Sequence, residues 1–213
     1  MTKGVYLLNK ERFEAIAQKY DTPKNIQLAQ IIAQETNQLL ERSQHRSLLD
    51  YGGGTGLVTL NIDHNFETVT LMDASPNMID VFRTKVEALD KTSTTALTGD
   101  ALSDDTSLAD TTYDVIFLSL VLLHSGNYQG LLEKLITHLN EGGQLILVDF
   151  DKNEKIDHPN VYNGFDQSDI RAVLEQNGLT NINTHTFYTG DYIFMNQRAS
   201  LFIASGMKPN TKS

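Results

Sequence analysis

In LLDYGGGTG, residues 48–56, glycines 52, 53, 54 and 56 follow Asp50 and Tyr51 at the end of an apolar run. Glycine at this density bares the backbone, so a ligand can reach main-chain N–H groups that a Cβ would shield. A helix beginning at Leu57-Val58 would add the partial positive charge of its N-terminus, and the loop would then suit a pyrophosphate or a carboxylate. The dinucleotide pattern G-x-G-x-x-G is not met: Gly52, Gly54 and Gly56 give G-x-G-x-G, and Leu57 stands where the third glycine belongs. No G-x-x-x-x-G-K-[ST] occurs, which excludes a P-loop. Asp73 lies 17 residues beyond Gly56 after a second apolar run, where a carboxylate accepts both hydroxyls of a ribose. Gly99-Asp100-Ala101 follows a third run. There Asp100 can accept an exocyclic adenine amine while a neighbouring backbone N–H serves a ring nitrogen. Three strand ends then describe one adenosine. A glycine turn that merely shapes the chain is the alternative, and Asp50 alone could hold the loop by accepting its backbone N–H groups.

His124 follows the fourth apolar run and is the candidate general base, since the ligand crevice of an open parallel sheet lies beyond the carboxyl ends of its strands. Otherwise it is a histidine satisfied in a turn. Tyr20 precedes a helical segment and either closes over the ligand or simply packs. His158, Tyr162 and Asn163, in HPNVYNGF, either wall a substrate pocket or belong to an ordinary surface loop. Asp149 and Asp151 read as solvated carboxylates at a strand end, so no metal is expected.

The elements that must position these residues come from hydrophobic periodicity. Ser47–Tyr51, Thr68–Met72, Thr94–Leu97, Tyr113–Leu118 and Gln144–Phe150 are short apolar or β-branched runs closed by turn residues. Between them, Ser75-Pro76 opens a helix bearing Met78, Ile79, Phe82 and Val86 at helical spacing, which by itself explains Met78 as core. The stripe Leu131, Leu132, Leu135, Ile136 and Leu139 is expected to end at Gly142-Gly143, and Asp166 is expected to cap a third helix that Asn177-Gly178 stops. Thr22-Pro23 starts a helix carrying Leu28, Ala29, Ile32, Ala33, Thr36, Leu39 and Leu40 on one face, either a packing helix or a lid. Strand–helix alternation implies an α/β fold, a mainly parallel sheet covered on both faces. The C-terminal stretch, residues 181–206, reads as two strands with no helix between them, so the last strand should run antiparallel.

The formal net charge of -10 and the singly scattered lysines and arginines exclude a nucleic-acid or anionic-membrane footprint and favour a small-molecule substrate. There are no cysteines, hence no disulfide, thiolate or Cys-zinc chemistry. VYLL is too short for a signal-peptide core and no run is long enough to span a membrane, so a cytoplasmic protein is expected. The oligomeric state is not readable. The expected organisation is a helical extension or lid over 1–46, a ligand-binding domain over 47–206 and a tail over 207–213.

Taken with YDTP at 20–23, LLDYGGGTG, LMDASPNMI at 71–79, GDA at 99–101, YDVIFLSLVLLH at 113–124, LNEGGQLILVDF at 139–150 and NGFDQSDI at 163–170, the chain resembles the class I S-adenosylmethionine-dependent methyltransferases. It looks closest to the small-molecule branch that includes the ubiquinone and menaquinone biosynthesis enzymes. The resemblance implies a Rossmann-like seven-stranded sheet with a reversed last strand, S-adenosylmethionine as cofactor, and methylation of an O, N or C nucleophile. It implies that the backbone of Gly52, Gly53, Gly54 and Gly56, with Tyr51, cradles the methionine part, with Asp50 near its ammonium. Asp73 would hold the ribose, Ala74 and Met78 would flank the adenosine, Asp100 and Ala101 would recognise the adenine, and Ser119 would border the sulfonium. Gly53 stands where the family often has cysteine or another small residue. The [ND]-P-P-[YFW] motif of planar-amine methyltransferases is replaced by Leu120-Val121-Leu122-Leu123-His124, against DNA adenine methylation. A non-catalytic adenosylmethionine sensor or activator subunit is the other class compatible with these motifs. An NAD-dependent reductase would use Y-x-x-x-K, but Tyr20 to Lys24 precedes the glycine loop and contains Pro23.

Overall fold

The computed structural model describes residues 3–41, 43–102, 108 and 110–210, with side chains from Asn9 onward. Strands β1 (Ser47–Tyr51), β2 (Thr68–Asp73), β3 (Thr94–Thr98), β4 (Tyr113–Ser119), β5 (Leu139–Phe150), β6 (Thr180–Phe194) and β7 (Gln197–Met207) form one sheet. Their order is β3-β2-β1-β4-β5-β7-β6, and β7 runs antiparallel to both its neighbours. Helices α1 (Lys3–Ile16), α2 (Pro23–Leu40), α3 (Pro76–Ala88), α4 (Tyr128–Thr137) and α5 (Gln167–Gln176) flank it. The runs in β1, β4 and β5 are continuous because central parallel strands are covered on both sides, and Leu48, Leu49, Ile116, Phe117, Ile146 and Leu147 are all buried. Each such side chain contributes about 1.5–3 kcal/mol by leaving water.

Strand order reverses between β1 and β4, which is where an open α/β sheet leaves a crevice. The register levels the tips there: Tyr51 pairs with Met72 on one side and Leu118 on the other. Helix starts are capped where expected. Thr22 Oγ1 accepts from Asn25 N at 3.2 Å ahead of Pro23, and Ser75 Oγ accepts from Met78 N at 3.2 Å ahead of Pro76. The β6–β7 turn passes through Met195 and Asn196, both with positive φ (46° and 59°), the geometry a two-residue hairpin requires.

Three local expectations are corrected. No α-helix follows the glycine loop; Thr59–Asn61 forms only a 3-10 turn. Side chains there take the backbone groups a helix needs: Asn61 Nδ2 donates to Leu57 O at 2.8 Å and Asn37 Oδ1 accepts from Asp63 N at 2.9 Å. Gly142-Gly143 does not stop α4, which ends at Thr137. Leu139 already pairs with Tyr113, and the glycine pair lies in an irregular stretch of β5, whose register against β4 shifts between Tyr113 and Val115. A Cβ on Gly143 would sit 2.8 Å from Asn140 O and 2.9 Å from Asp114 O, so only glycine lets the strand pass. Asp166 occupies the N-cap position of α5 without capping it; its carboxylate instead accepts from Lys152 Nζ at 3.2 Å.

Candidate active site

Beyond the carboxyl ends of β1, β2 and β4 lies a cavity of about 570 Å³. It gathers most of the residues that the sequence singled out: Asp50, Tyr51, Gly52, Gly53 and Gly54 from the loop, Asp73, Ala74 and Met78 after β2, Asp100 after β3, Ser119 and His124 after β4, and Tyr20 from the N-terminal segment. It does not gather all of them. Gly56 packs under the loop, Ala101 is buried beside the cavity, and His158, Tyr162 and Asn163 lie outside its lining. His158 Nδ1 accepts from Asn160 N at 3.1 Å, Tyr162 Oη donates to Gly126 O at 3.1 Å, and Asn163 O accepts from Asn153 N at 2.7 Å. His158 and Asn163 thus brace their own loop, Tyr162 ties it to the turn after β4, and only Val161 of that loop faces the cavity.

The loop conformation explains its glycines. Gly52, Gly54 and Gly56 have φ of 72°, 57° and 77°, a region that costs an L-residue strain. A Cβ at Gly52 would lie 2.5 Å from Val121, one at Gly53 would meet Leu71 at 2.6 Å and Asp50 Oδ2 at 2.8 Å, and one at Gly56 would meet Phe82 at 2.3 Å. Gly54 differs, with nothing closer than Met78 Sδ at 4.0 Å, so it presents open backbone to the cavity.

The carboxylates are unusually placed. Asp50 is buried, its Oδ2 accepts from Thr59 Oγ1 and its Oδ1 has no partner, so it does not hold the loop through backbone N–H groups. Burial, reinforced by the charge of Asp73 and opposed by the Thr59 bond, pushes its pKa up to about 7. Asp73 Oδ2 accepts from Gly54 N at 2.9 Å and Oδ1 from Ser75 N at 2.8 Å; burial raises its pKa and these bonds oppose the rise. A carboxylate has about four acceptor positions, so these bonds leave room for a hydroxyl. Asp100 Oδ1 accepts from Tyr51 Oη at 2.9 Å and Leu102 N at 2.9 Å, while Ala101 N donates to Tyr51 Oη at 3.1 Å. The expected donor at Ala101 is thus engaged by Tyr51. An orphaned carboxylate oxygen in reach of bare glycine backbone, with two more carboxylates along the same wall, fits an amino-acid ammonium joined to a nucleoside.

His124 ends a short 3-10 turn, Leu122–His124, with Nδ1 buried and unpartnered. Burial, then the charges of Arg12 and His158, pushes its pKa down to about 4, so the ring is neutral at neutral pH. Phe13 meets it edge-on, ring centroids 5.0 Å apart. Asp149 is not the solvated carboxylate expected at a strand end. It is fully buried, accepting from Phe150 N at 2.8 Å and Leu123 N at 3.3 Å, and therefore fixes the turn that carries His124. The same burial lifts its pKa to about 7.

The N-terminal segment contributes more than the sequence suggested. Asn9, Lys10, Arg12, Phe13 and Ile16 of α1 line the cavity, and so do Ile193, Phe194 and Met195 at the β6–β7 tip. Asn9 Nδ2 donates to His124 O and Asn160 O, at 3.3 and 2.8 Å. Glu14 accepts from Ser75 Oγ, and Asp21 Oδ2 pairs with Lys85 Nζ at 2.6 Å while Asp21 Oδ1 accepts from Thr55 Oγ1 at 2.5 Å. Polar residues such as Asn9, Glu14 and Asp21 add nothing to the hydrophobic periodicity, so these ties could not be read beforehand. Helix α2 sends Ala29, Ile32, Ala33, Thr36 and Leu40 into the interior, and its Asn25, Leu28, Ala29 and Ile32 also line the cavity.

Among the described residues no group of three or more His, Asp and Glu is placed to hold a metal, and no helix is long and apolar enough to cross a membrane.

A family model described as a methyltransferase domain matches residues 25–184. Demethylmenaquinone methyltransferase of Tropheryma whipplei (strain Twist) is 26% identical over 147 residues, which span 66% of this chain and 58% of that protein. Magnesium protoporphyrin IX methyltransferase of Synechocystis PCC 6803, with bound S-adenosylhomocysteine, superposes with a TM-score of 0.74 at 17% identity, covering 96% of this chain and 99% of that one. Phosphoethanolamine N-methyltransferase 2 of Haemonchus contortus, in complex with S-adenosyl-L-methionine, gives 0.64 at 14% identity, over 93% and 60% of the two chains.

Proposed function

The chain belongs to the methyltransferase-domain family, and on that footing we propose that it moves the methyl group of S-adenosylmethionine to an O, N or C nucleophile of a small molecule. One observation carries this reading: the open backbone of Gly54, the unpartnered oxygen of Asp50, and the carboxylates of Asp73 and Asp100 all face a single cavity at the strand-order reversal. When bound, the cofactor supplies an electrophilic methyl on a positively charged sulfur that leaves as a neutral thioether.

The chain's own groups then have defined tasks. Asp50 receives the ammonium, the loop backbone from Gly52 to Gly54 accommodates the amino-acid end, and Asp73 receives the ribose. Asp100 receives the adenine amine, Ala74 and Met78 pack beside it, and Ser119 borders the reacting end. Because the leaving group is already activated, the protein mainly orients the reactants and excludes water. His124, neutral and with a free Nδ1, accepts a hydrogen bond from the nucleophile and aligns its lone pair. Its depressed pKa makes it a poor proton store, so it orients more than it deprotonates. Within the helical extension over 1–46, α1 and the turn after it serve as the lid over this domain, with Asp21 as the latch, while α2, mostly inside the family match, lines the cavity through Asn25, Leu28, Ala29 and Ile32.

Calorimetric titration with S-adenosylmethionine, S-adenosylhomocysteine and NAD in parallel tests the reading. Micromolar binding of both adenosyl ligands, strongly weakened in Asp73→Asn, is expected; NAD binding without adenosyl binding would overturn it. Product formation on an acceptor separates an enzyme from a sensor.

A further inference from the structure

The cavity is electrically divided. Its carboxylates, Asp50, Asp73 and Asp100, all stand at the strand tips, whereas its lysines and arginine, Lys10, Arg12 and Lys19, all come from the N-terminal segment. Among the described residues none of these three cations is in an ion pair; Lys24, Lys91, Lys134, Lys155, Arg171 and Lys208 also lack one, but none of those lines the cavity. In a chain of net charge -10, Lys10, Arg12 and Lys19 bring positive charge to the N-terminal wall of the cavity.

Between the two charged ends the wall is apolar and rich in rings. Phe13 lies edge-on to His124, and Phe150 and Phe194 stack with centroids 4.2 Å apart and planes inclined by 8°. Ile16 and Met195 at the rim are 37% and 36% exposed, so the surface awaiting a ligand is hydrophobic as well as cationic.

We propose that the acceptor is an apolar acid: a flat hydrophobic body seated against Phe13 and the Phe150–Phe194 pair, with one anionic group held by Arg12 and with Lys10 and Lys19 adding positive charge from the same segment. Calling this ligand the acceptor rests on the methyltransferase reading; the selection of an anion does not. A charge-assisted contact to a guanidinium is roughly twice as strong as a neutral hydrogen bond, which corresponds to about tenfold in affinity.

The test uses a matched pair of probes, naphthoate and naphthamide, alike in shape and different in charge. Each is titrated into the full chain alone and into the chain saturated with S-adenosylhomocysteine. Naphthoate is expected to bind about tenfold more tightly than naphthamide. In the Lys10→Ala/Arg12→Ala/Lys19→Ala variant the ratio should fall to near one, with naphthamide affinity and S-adenosylhomocysteine affinity unchanged. Arg12→Lys, which keeps the charge, should retain most of the preference. Equal binding of the two probes to the unaltered protein, or a naphthoate preference that survives in the triple variant, would overturn the proposal. So would a triple variant that loses S-adenosylhomocysteine, since that would assign the cations to the cofactor's own carboxylate. If S-adenosylhomocysteine does not bind the unaltered protein, the methyltransferase reading fails, and the probe ratio on the chain alone still decides the charge selection.

Discussion

A methyl group added at Gly56 would lie 2.3 Å from Phe82, whereas one added at Gly54 would find nothing nearer than the Met78 sulfur at 4.0 Å. Both residues have positive φ, so alanine at either is strained, by about 1–2 kcal/mol. Gly56→Ala adds an overpacking cost, and its loss of stability in urea is expected to reach about 3 kcal/mol or more. Gly54→Ala should lose only the strain term while binding S-adenosylhomocysteine poorly, because its Cβ enters the cavity; equal stability losses would contradict this assignment. Asp50 supplies a second residue-scale test. Its pKa is raised from 3.8 to about 7, so an incoming ammonium must displace a proton below that pH. Affinity for S-adenosylhomocysteine should therefore rise with pH up to about 7 and then level off, with proton release visible as a buffer-dependent heat, and Asp50→Asn should flatten the profile. A flat profile in the unaltered protein would place the ammonium elsewhere. The same shift acts on folding with a definite sign. Between 3.8 and about 7 the folded chain keeps a proton that the unfolded chain has released, so this group's contribution to stability is lost as pH rises through that window.

At the scale of elements, α1 and the turn after it are joined to the domain by polar ties rather than by burial in the sheet. Lys85 of α3 reaches both Asp21 Oδ2 at 2.6 Å and Thr55 O at 2.7 Å, so one side chain fastens the N-terminal segment to the glycine loop. The pair is partly exposed, at 25% and 30%, and contributes about 1 kcal/mol at most. Lys85→Met is accordingly expected to leave the fold intact and to speed S-adenosylhomocysteine dissociation about fivefold in stopped-flow displacement, about 1 kcal/mol in the barrier. An unchanged off-rate would show that the segment does not gate release. The limits of sequence legibility fall at this scale too. Helices opening at Thr22-Pro23 and Ser75-Pro76 were readable because cap, proline and stripe agree. The missing helix after Gly56 was not, since the turn into Leu57-Val58 reads as a helix start while Asn37 and Asn61 take the backbone groups. Gly142-Gly143 misled for a related reason, as a glycine pair after an apolar stripe reads as a stop whether or not a strand runs on through it.

For the molecule as a whole, the parallel sheet and its reversed final strand were legible because alternation and loop length constrain topology independently of side-chain detail. The tips that carry Asp50, Asp73 and Asp100 were legible with them, because a strand end is both a sequence signal and a place in the crevice. The closing wall was not: Phe13, Arg12 and Phe194 reach the cavity from distant parts of the chain, and nothing in their local pattern records that meeting. His158, Tyr162 and Asn163 show the converse, where polar residues of a loop beside the site bond to Asn160 N, Gly126 O and Asn153 N and lie outside the cavity lining. At this scale the proposed anion selection sets the positive charge of Lys10, Arg12 and Lys19 at the cavity against a net charge of -10 for the whole chain. The most direct test of the central claim is a crystal structure of the protein with S-adenosylhomocysteine. The amino-acid end is expected against Gly52 to Gly54 with its ammonium at Asp50, the ribose at Asp73 and the adenine at Asp100. The ligand lying elsewhere, or reversed so that adenine meets the glycine loop, would contradict it.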